Sequence, residues 1–308
     1  MNLQSNAMSE SFQSQSIAPA VIPATRVLYW SVRRELWENR SIYIAPLAVG
    51  AVFLTGFLLL HLFRVPSHMR SILALDPMHQ RAALDQPYMM AAGLLMVTAM
   101  VVGVFYSIDA LHGERRDRSI LFWKSMPVSD LTAVLSKAAI PIFLLQLIAF
   151  AVAAAIMWIM FFLSSVVLLA AGISIAPIWS QLPIVQMSFL LLYHLVILHG
   201  LWHAPFYGWM LMVSSWARRA PFLWAVLPPL AIGVVEKLMF NTSHFTGMLL
   251  YHLGGSPDSS PKSGDLMDML GHFQPGMLLR ESGLWTGLAA TAVFLAVAAR
   301  LRRDREPI

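Results

Sequence analysis

Six long apolar runs set the hydropathy pattern of the chain: residues 42–63, 87–111, 138–171, 185–213, 221–240 and 283–299. Each run is long enough to cross about 30 Å of bilayer hydrocarbon as a helix. The third run is the longest, and residues 153–167 contain no Gly, Asn, Asp or Pro at which two crossings could turn. It therefore predicts one long helix that projects beyond the bilayer. The pattern predicts an all-α integral membrane protein with six transmembrane helices.

The segment ahead of the first run is more polar. Residues 1–24 are rich in Ser, Gln and Ala, which predicts a disordered cytosolic tail. Residues 25–40 carry too many charges to span a membrane, and residues 41–308 then form the transmembrane domain. Apolar and aromatic side chains occupy two parts of the helical surface of 25–40: Leu28, Val32 and Leu36 on one, Trp30 and Trp37 on the other. We expect an amphipathic helix in the membrane interface, with a helix docked on the rest of the protein as the alternative.

Composition supports a membrane protein. Apolar residues make up 58% of the chain and charged residues 12%, whereas soluble domains average about 45–50% and about 25%. A globule of 34.3 kDa with this composition lacks the polar surface that solubility in water needs. The chain has no cysteine, which excludes disulfides and thiolate metal sites.

Charge predicts the orientation. If both termini are cytosolic, the cytosolic segments carry about three times as many Lys and Arg residues as the outer ones, as the positive-inside rule expects. This asymmetry accounts for the isoelectric point of about 9.7. We expect the basic face to meet anionic lipid headgroups or an acidic partner surface. No basic stripe with stacking aromatics lies outside the interfacial zone, so we expect no nucleic-acid partner.

The chain lacks the sequence of a phosphate-binding P-loop. That motif requires Gly-Lys-Ser or Gly-Lys-Thr, but Trp123 and Pro261 precede the only Lys-Ser pairs. We therefore expect no ATP hydrolysis in this chain, and any ATPase that serves it must be a separate polypeptide.

The loop between the second and third runs, residues 112–130, mixes charges with Ile120, Leu121, Phe122 and Trp123. It predicts a short amphipathic helix along the cytosolic membrane surface. Pro127 ends the helical pattern, and Ser129 suits the N-cap of the next helix because Thr132 lies at its third position. A plain positive-inside loop with an interfacial anchor is the alternative.

This loop resembles the cytosolic loop of ABC-2 type transporter permeases. The resemblance rests on Glu114-Arg115 with Asp117-Arg118-Ser119, on residues 124–129 (KSMPVS), and on Ser136-Lys137 at the foot of the third span. The order of elements is similar too: an amphipathic first helix, six spans and a sizeable outer segment, residues 241–282, before the last span. The resemblance covers about residues 25–305 and names a family of membrane subunits of ATP-binding cassette exporters.

Membership of that family implies a permease in the bacterial inner membrane. It would be driven by two copies of a separate ATPase subunit and paired with a second permease copy or a paralogue. ATP and Mg²⁺ would bind in the ATPase, and this chain would hold no cofactor. Residues 112–130 would be the coupling loop. The residues expected at the ATPase are Glu114, Arg115, Arg116, Asp117, Arg118, Ser119, Phe122, Trp123, Arg33, Arg34 and Glu35.

The fourth run carries histidines. His199 and His203 lie four residues apart, on one face of a helix. Together they could line a polar cavity in the translocation path or hold a metal ion. Pro205 frees a backbone carbonyl near Leu201 and predicts a kink.

The fifth run ends with Glu236-Lys237, and charges at membrane depth usually face protein or water. Glu236 is therefore a further candidate for the translocation path, with an interfacial pair as the alternative. Residues 245–253, in the outer segment, predict a re-entrant or interfacial helix because they are apolar but too short to span.

Two other functions fit parts of the pattern. The histidines suggest a membrane redox or metal-binding subunit as the alternative function. An ion-coupled carrier working alone would need an internal repeat and buried carboxylates. No repeat is visible in the sequence.

Overall fold

A computed structural model describes residues 23–60, 64–125, 128–254 and 280–304. In those ranges every regular element is helical. Six helical stretches are long and apolar enough to cross a membrane: Ser41–Leu59, His79–Arg116, Asp130–Ala170, Ile178–Trp202, Pro221–Phe240 and Ser282–Asp304. The six predicted spans are confirmed, and the chain is a multi-pass helical membrane protein. The side of the membrane on which the termini lie stays a prediction.

The helices follow each other in this order: α1 (Ala24–Glu38), α2 (Ser41–Leu60), α3 (Val65–Leu73), α4 (Pro77–Arg116), α5 (Ser119–Ser125), α6 (Asp130–Ala139), α7 (Leu145–Ala170), α8 (Ala176–Gln181), α9 (Ile184–Tyr193), α10 (Ala204–Trp216), α11 (Pro221–Phe240), α12 (His244–Gly254) and α13 (Ser282–Asp304). Two π-helical segments, Ile140–Leu144 and His194–Trp202, continue α6 into α7 and extend α9. Most of the predicted tail, residues 1–22, and most of the outer segment, residues 255–279, lie outside the described residues.

The third span is a single helix, as its sequence predicts, because α6, the first π-helical segment and α7 form one uninterrupted stretch. The wider π-helical turn coincides with Pro141, which has no N–H for the helical ladder. The Gln146 side chain, fully buried, donates to the Pro141 carbonyl at 3.0 Å. A polar side chain thus satisfies a carbonyl at the point where the helix widens.

The fourth apolar run is not one straight helix. The helix stops at Trp202 and resumes at Ala204, which is the interruption that Pro205 predicts near Leu201. Gly200 lies against the other π-helical segment: a Cβ there would clash with the Ile142 carbonyl oxygen. Only glycine lets the two π-helical segments touch backbone to backbone.

The helix α1 lies against the bundle on one side only. Val32 and Leu36 pack on the main core, whereas Tyr29, Trp30 and Trp37 are exposed. The docking contact named as the alternative is therefore present. The open aromatic face suits a membrane interface, and the position of α1 in that interface stays a prediction.

Following the chain through the helices defines the two ends of the bundle. The last turns of α4, α10 and α13 lie with α1 and the start of α6 at one end, which we call the α1 end. The helices α3 and α8 lie at the opposite end, which we call the far end, because α2 and α7 lead to them. If the termini are cytosolic, the far end is the outer one.

The last span packs closely on its neighbours through two glycines, Gly283 and Gly287. A Cβ at Gly283 would lie 2.9 Å from Cε1 of Tyr251, and one at Gly287 would lie 3.0 Å from Cγ of Pro205. The helix α12, which occupies the predicted segment 245–253, thus folds back onto α13.

Candidate functional site

A buried cluster of charges joins four helices at the α1 end. We call it the ion network. Its members are Arg34 and Glu35 of α1, Glu114 of α4, Asp130 and Lys137 of α6, and Arg302 of α13. These six residues carry three positive and three negative charges, and the half-exposed Glu38 also pairs with Arg34, at 2.9 Å. Glu35, Glu114, Lys137 and Arg302 are buried, whereas Arg34 and Asp130 are partly exposed. Buried charges persist only where they are paired and hydrogen-bonded.

Lys137 lies at the centre of the network. Its ammonium group is 2.8 Å from Oε1 of Glu35 and 3.2 Å from Oε1 of Glu114. It therefore bridges α1 and α4 from its position on α6. The Tyr106 hydroxyl donates to the second oxygen of Glu35 at 2.8 Å, which satisfies that oxygen as well.

Arg302 brings the last span into the network. Its Nη2 donates to Oε2 of Glu114 at 3.2 Å, and its Nη1 donates to Asp130. Glu114 precedes α5 in the chain and Asp130 follows it. One guanidinium group thus ties both sides of the 112–130 loop to α13.

Arg34 connects the network to α5. Its Nη2 donates to Oε1 of Glu114 at 3.1 Å. Its guanidinium carbon lies 3.3 Å from the centroid of the Trp123 ring, a cation–π arrangement. The side chain of Arg34 therefore lies between the buried carboxylate and the aromatic side chain of the short helix.

Local chemistry explains how α5 is formed. The helix α4 ends at Arg116, Arg118 turns the chain in the left-handed region at φ 57°, and α5 starts at Ser119. Ile120 anchors α5 because it is buried. The predicted N-cap of α6 is confirmed, because Oγ of Ser129 accepts from the Thr132 N–H at 3.1 Å. Pro127 lies outside the described residues.

The residues expected at an ATPase differ in exposure. Glu35, Glu114 and Arg115 are buried within the chain. Arg116, Asp117, Arg118 and Phe122 are exposed around α5. Together with the exposed Leu121, which was not among the expected residues, they form what we call the coupling surface. Leu121 and Phe122 are 57% and 61% exposed, so two large apolar side chains lie open beside the charged ones.

The remaining expected residues are partly buried. Ser119 donates to the Glu114 carbonyl at 3.4 Å, and Trp123 lies under Arg34. Arg33 lies on the open side of α1, with its guanidinium carbon 5.1 Å and 4.8 Å from the ring centroids of Trp30 and Trp37. It belongs to the aromatic face of α1 rather than to the coupling surface.

Arg115 fixes the neighbouring helix α10. Its Nη1 donates to the carbonyls of Ser215 and Ala217, at 2.9 Å and 3.2 Å. These carbonyls belong to the end of α10, where helical partners run out. The residue therefore holds the ends of α4 and α10 together.

The fourth-span histidines do not form an evident metal site. The rings of His199 and His203 stack 5.2 Å apart at 22°. Nδ1 of His203 is 2.7 Å from the Leu198 carbonyl, and Nε2 is 3.3 Å from the Leu253 carbonyl. Neither nitrogen of His203 is therefore directed at His199. Within the described ranges, no three His, Cys, Asp or Glu side chains group closely enough to hold a metal ion.

Glu236 caps α12. Its Oε1 accepts from the Thr242 hydroxyl at 3.0 Å and from the His244 N–H at 2.6 Å, and its Oε2 accepts from the Phe245 N–H at 2.9 Å. A carboxylate at a helix N-terminus satisfies free N–H groups and the helix dipole. His203 contacts the opposite end of α12, at Leu253. The three predicted path residues therefore do not share one site, and a role in translocation stays a prediction.

Sequence reasoning did not place four residues in this site: Tyr106, Asp130, Lys137 and Arg302. Lys137 belongs to the motif at the foot of the third span and Asp130 to the 112–130 loop, but their ion pairs were not predicted. Their positions could have indicated these contacts, because Lys137 and Arg302 lie at the borders of apolar runs. Charges at that depth usually have a partner. Which carboxylate each one meets depends on how the helices pack, and the hydropathy pattern does not contain that information.

Known proteins give no independent guide to this site, so its interpretation rests on the residues themselves. No protein-family model, curated protein or solved structure matches the chain.

Proposed function

We propose that this chain is the membrane-spanning permease subunit of an ABC-2 type exporter. A separate ATPase, present in two copies, supplies the energy, and a second permease copy or a paralogue completes the membrane unit. The six spans, the 112–130 motif and the lack of a P-loop sequence support the proposal together. ATP and Mg²⁺ bind in the ATPase, and the membrane is the bacterial inner membrane.

The coupling surface is the proposed contact with the ATPase. It presents two exposed apolar side chains, Leu121 and Phe122, beside Arg116, Asp117 and Arg118. Apolar anchors within a polar rim are typical of protein–protein contacts. Glu35, Glu114 and Arg115 then act indirectly, by positioning α5 and its neighbours, because they are buried.

The ion network is the observation that carries the proposal. Glu114 and Asp130 flank α5, and Arg302 contacts both of them. A displacement of α5 therefore passes to α4, α6 and α13 together instead of being absorbed within the loop. For ATP to move the spans, it must favour one arrangement of the complex over another. A rigid connection at this point transmits that preference.

A charge swap on the coupling surface tests the proposal. The chain is co-purified with its candidate ATPase, and ATP turnover is measured for the double variant Asp117→Lys with Arg118→Glu. We expect assembly weakened by about tenfold, because interface residues that matter contribute more than about 1 kcal/mol each. Arg219→Glu is the matched control, since Arg219 is an exposed arginine in another loop of the α1 end. Unchanged assembly and turnover in the double variant would contradict the proposed contact.

A further inference from the structure

A cavity of about 700 Å³ opens at the far end of the bundle. Its walls come from α2, α3, α4, α7 and α8. The volume lies within the range of about 300–1,000 Å³ that small-molecule sites occupy. The cavity lies at the opposite end from the ion network and takes no part in the proposed contact with the ATPase.

The lining of the cavity is mixed in chemistry. Phe53, Phe57 and Leu84 provide apolar surface, and α4 and α7 add polar groups at Gln86, Tyr88 and Ser164. The exposed polar side chains gather at α3 and the residue before it: Arg64, Ser67, His68 and Ser71. Such a cavity suits a molecule with one apolar part and one polar part.

The charge of the lining favours an anion. Arg64 contributes a permanent positive charge, and the ring of His68 has an N–H group that donates a hydrogen bond to an oxygen of the ligand. No Asp or Glu belongs to the lining in the described parts of the chain. Asp85 is buried beside the cavity and is not among its lining residues, although its carboxylate acts electrostatically on the lining residue Tyr88.

The depth of the cavity matches the boundary of the far leaflet. Phe53 and Phe57 lie 12 and 16 residues after Ser41, or about 18–24 Å along α2 at about 1.5 Å per residue. In a hydrocarbon layer of about 30 Å, they belong to its far half. Arg64 follows the end of α2 and therefore lies at the level of lipid headgroups.

We propose that this cavity binds an anionic amphiphile with a single hydrocarbon chain. The head group contacts Arg64 and His68, and the chain lies against Phe53 and Phe57. Met90 lines the cavity and is exposed, so the hydrocarbon chain of the ligand can also contact its side chain. The proposal concerns the permease chain alone, so it stands or falls separately from the partner ATPase.

Two glycines provide a matched pair of variants. A Cβ added at Gly56 meets nothing within 4 Å, and Gly56 lines the cavity. A Cβ added at Gly93, on α4, also meets nothing within 4 Å, but Gly93 does not line it. A side chain at position 56 thus starts in open space beside the cavity, and we expect leucine there to occupy part of it, whereas leucine at position 93 adds the same side chain outside the lining.

The test uses photolabelling of the full chain in lipid nanodiscs. The probe is hexadecyl sulfate with a diazirine in its chain, and the labelled peptides are identified by mass spectrometry. We expect labelling on α2, α3 and α4 in the wild type, strong loss in Gly56→Leu and no change in Gly93→Leu. Equal labelling of Gly56→Leu and wild type, no labelling, or labelling of α11 as strong as that of α2 would overturn the proposal.

A second pair of variants tests recognition of the charge. Arg64→Gln should lower the affinity for the sulfate probe about tenfold, since a charge-assisted contact is lost. It should leave binding of the matching uncharged hexadecanol probe unchanged. Arg70→Gln is the control, because Arg70 is an exposed arginine of the same helix outside the lining. Equal affinity of Arg64→Gln and wild type for the sulfate would overturn the anionic part of the proposal.

Discussion

At the scale of single residues, Lys137 has the most demanding position. It is buried between the carboxylates of Glu35 and Glu114, at 2.8 Å and 3.2 Å. Each carboxylate has further partners, but Lys137 is the bridge between them. Removing its charge leaves two buried anions facing one another, and buried pairs lose the most when one partner is deleted.

Lys137→Met should therefore lower the free energy of unfolding by about 3–5 kcal/mol. The measurement is detergent-induced unfolding in mixed micelles, followed by helical circular dichroism. Lys237→Met is the control, because Lys237 is exposed, and it should leave the unfolding free energy nearly unchanged. Adding Glu35→Gln to Lys137→Met should restore part of the loss, since it removes one of the two facing charges. A Lys137→Met protein as stable as wild type would show that the network is not held together by this ammonium group.

At the scale of helices, the contact between the two π-helical segments is the tightest constraint. Gly200 approaches the Ile142 backbone so closely that any side chain must push the two spans apart. Backbone atoms cannot give way as a flexible side chain can. The sequence predicts the kink at Pro205, but it does not identify which span lies against Gly200.

Gly200→Ala should destabilise the protein by about 1–3 kcal/mol, the usual cost of forcing extra atoms into a packed interior. Gly93→Ala is the matched control, because its new Cβ meets nothing within 4 Å. That variant should gain up to about 1 kcal/mol from the higher helix propensity of alanine. Both are measured by the same unfolding titration. Equal effects of the two variants would mean that the spans are not in contact at Gly200.

At the scale of the whole molecule, hydropathy was sufficient for the number of spans and their order. The 3.6-residue period and the capping rules also located α1 and the start of α6. The sequence could not predict which helices pack together, because the faces of a membrane helix that contact lipid and those that contact other helices are equally apolar. For the same reason the cavity beside Gly56 and the links from Lys137 and Arg302 to Glu114 became visible only in three dimensions.

Orientation is a property of the whole molecule, and the absence of cysteine makes it easy to measure. In intact cells, a membrane-impermeant maleimide should label Leu73→Cys, at the far end, and should not label Arg118→Cys, on the coupling surface. Both residues are exposed, so a difference reports the side of the membrane. Permeabilised cells provide the control, because there both variants should react. Labelling of Arg118→Cys in intact cells would contradict cytosolic termini.

The central claim is that α5 is held by a partner ATPase, and crosslinking tests it most directly. The Phe122→Cys variant of the cysteine-free chain is assembled with an ATPase whose surface carries a thiol-reactive crosslinker. Phe240→Cys is the control, since Phe240 is exposed at the far end of α11. The account predicts a permease–ATPase crosslink at Phe122→Cys, changed in yield when ATP binds, and none at Phe240→Cys. Free reaction of Phe122→Cys with a soluble maleimide in the assembled, ATP-bound complex, without any crosslink, would contradict it.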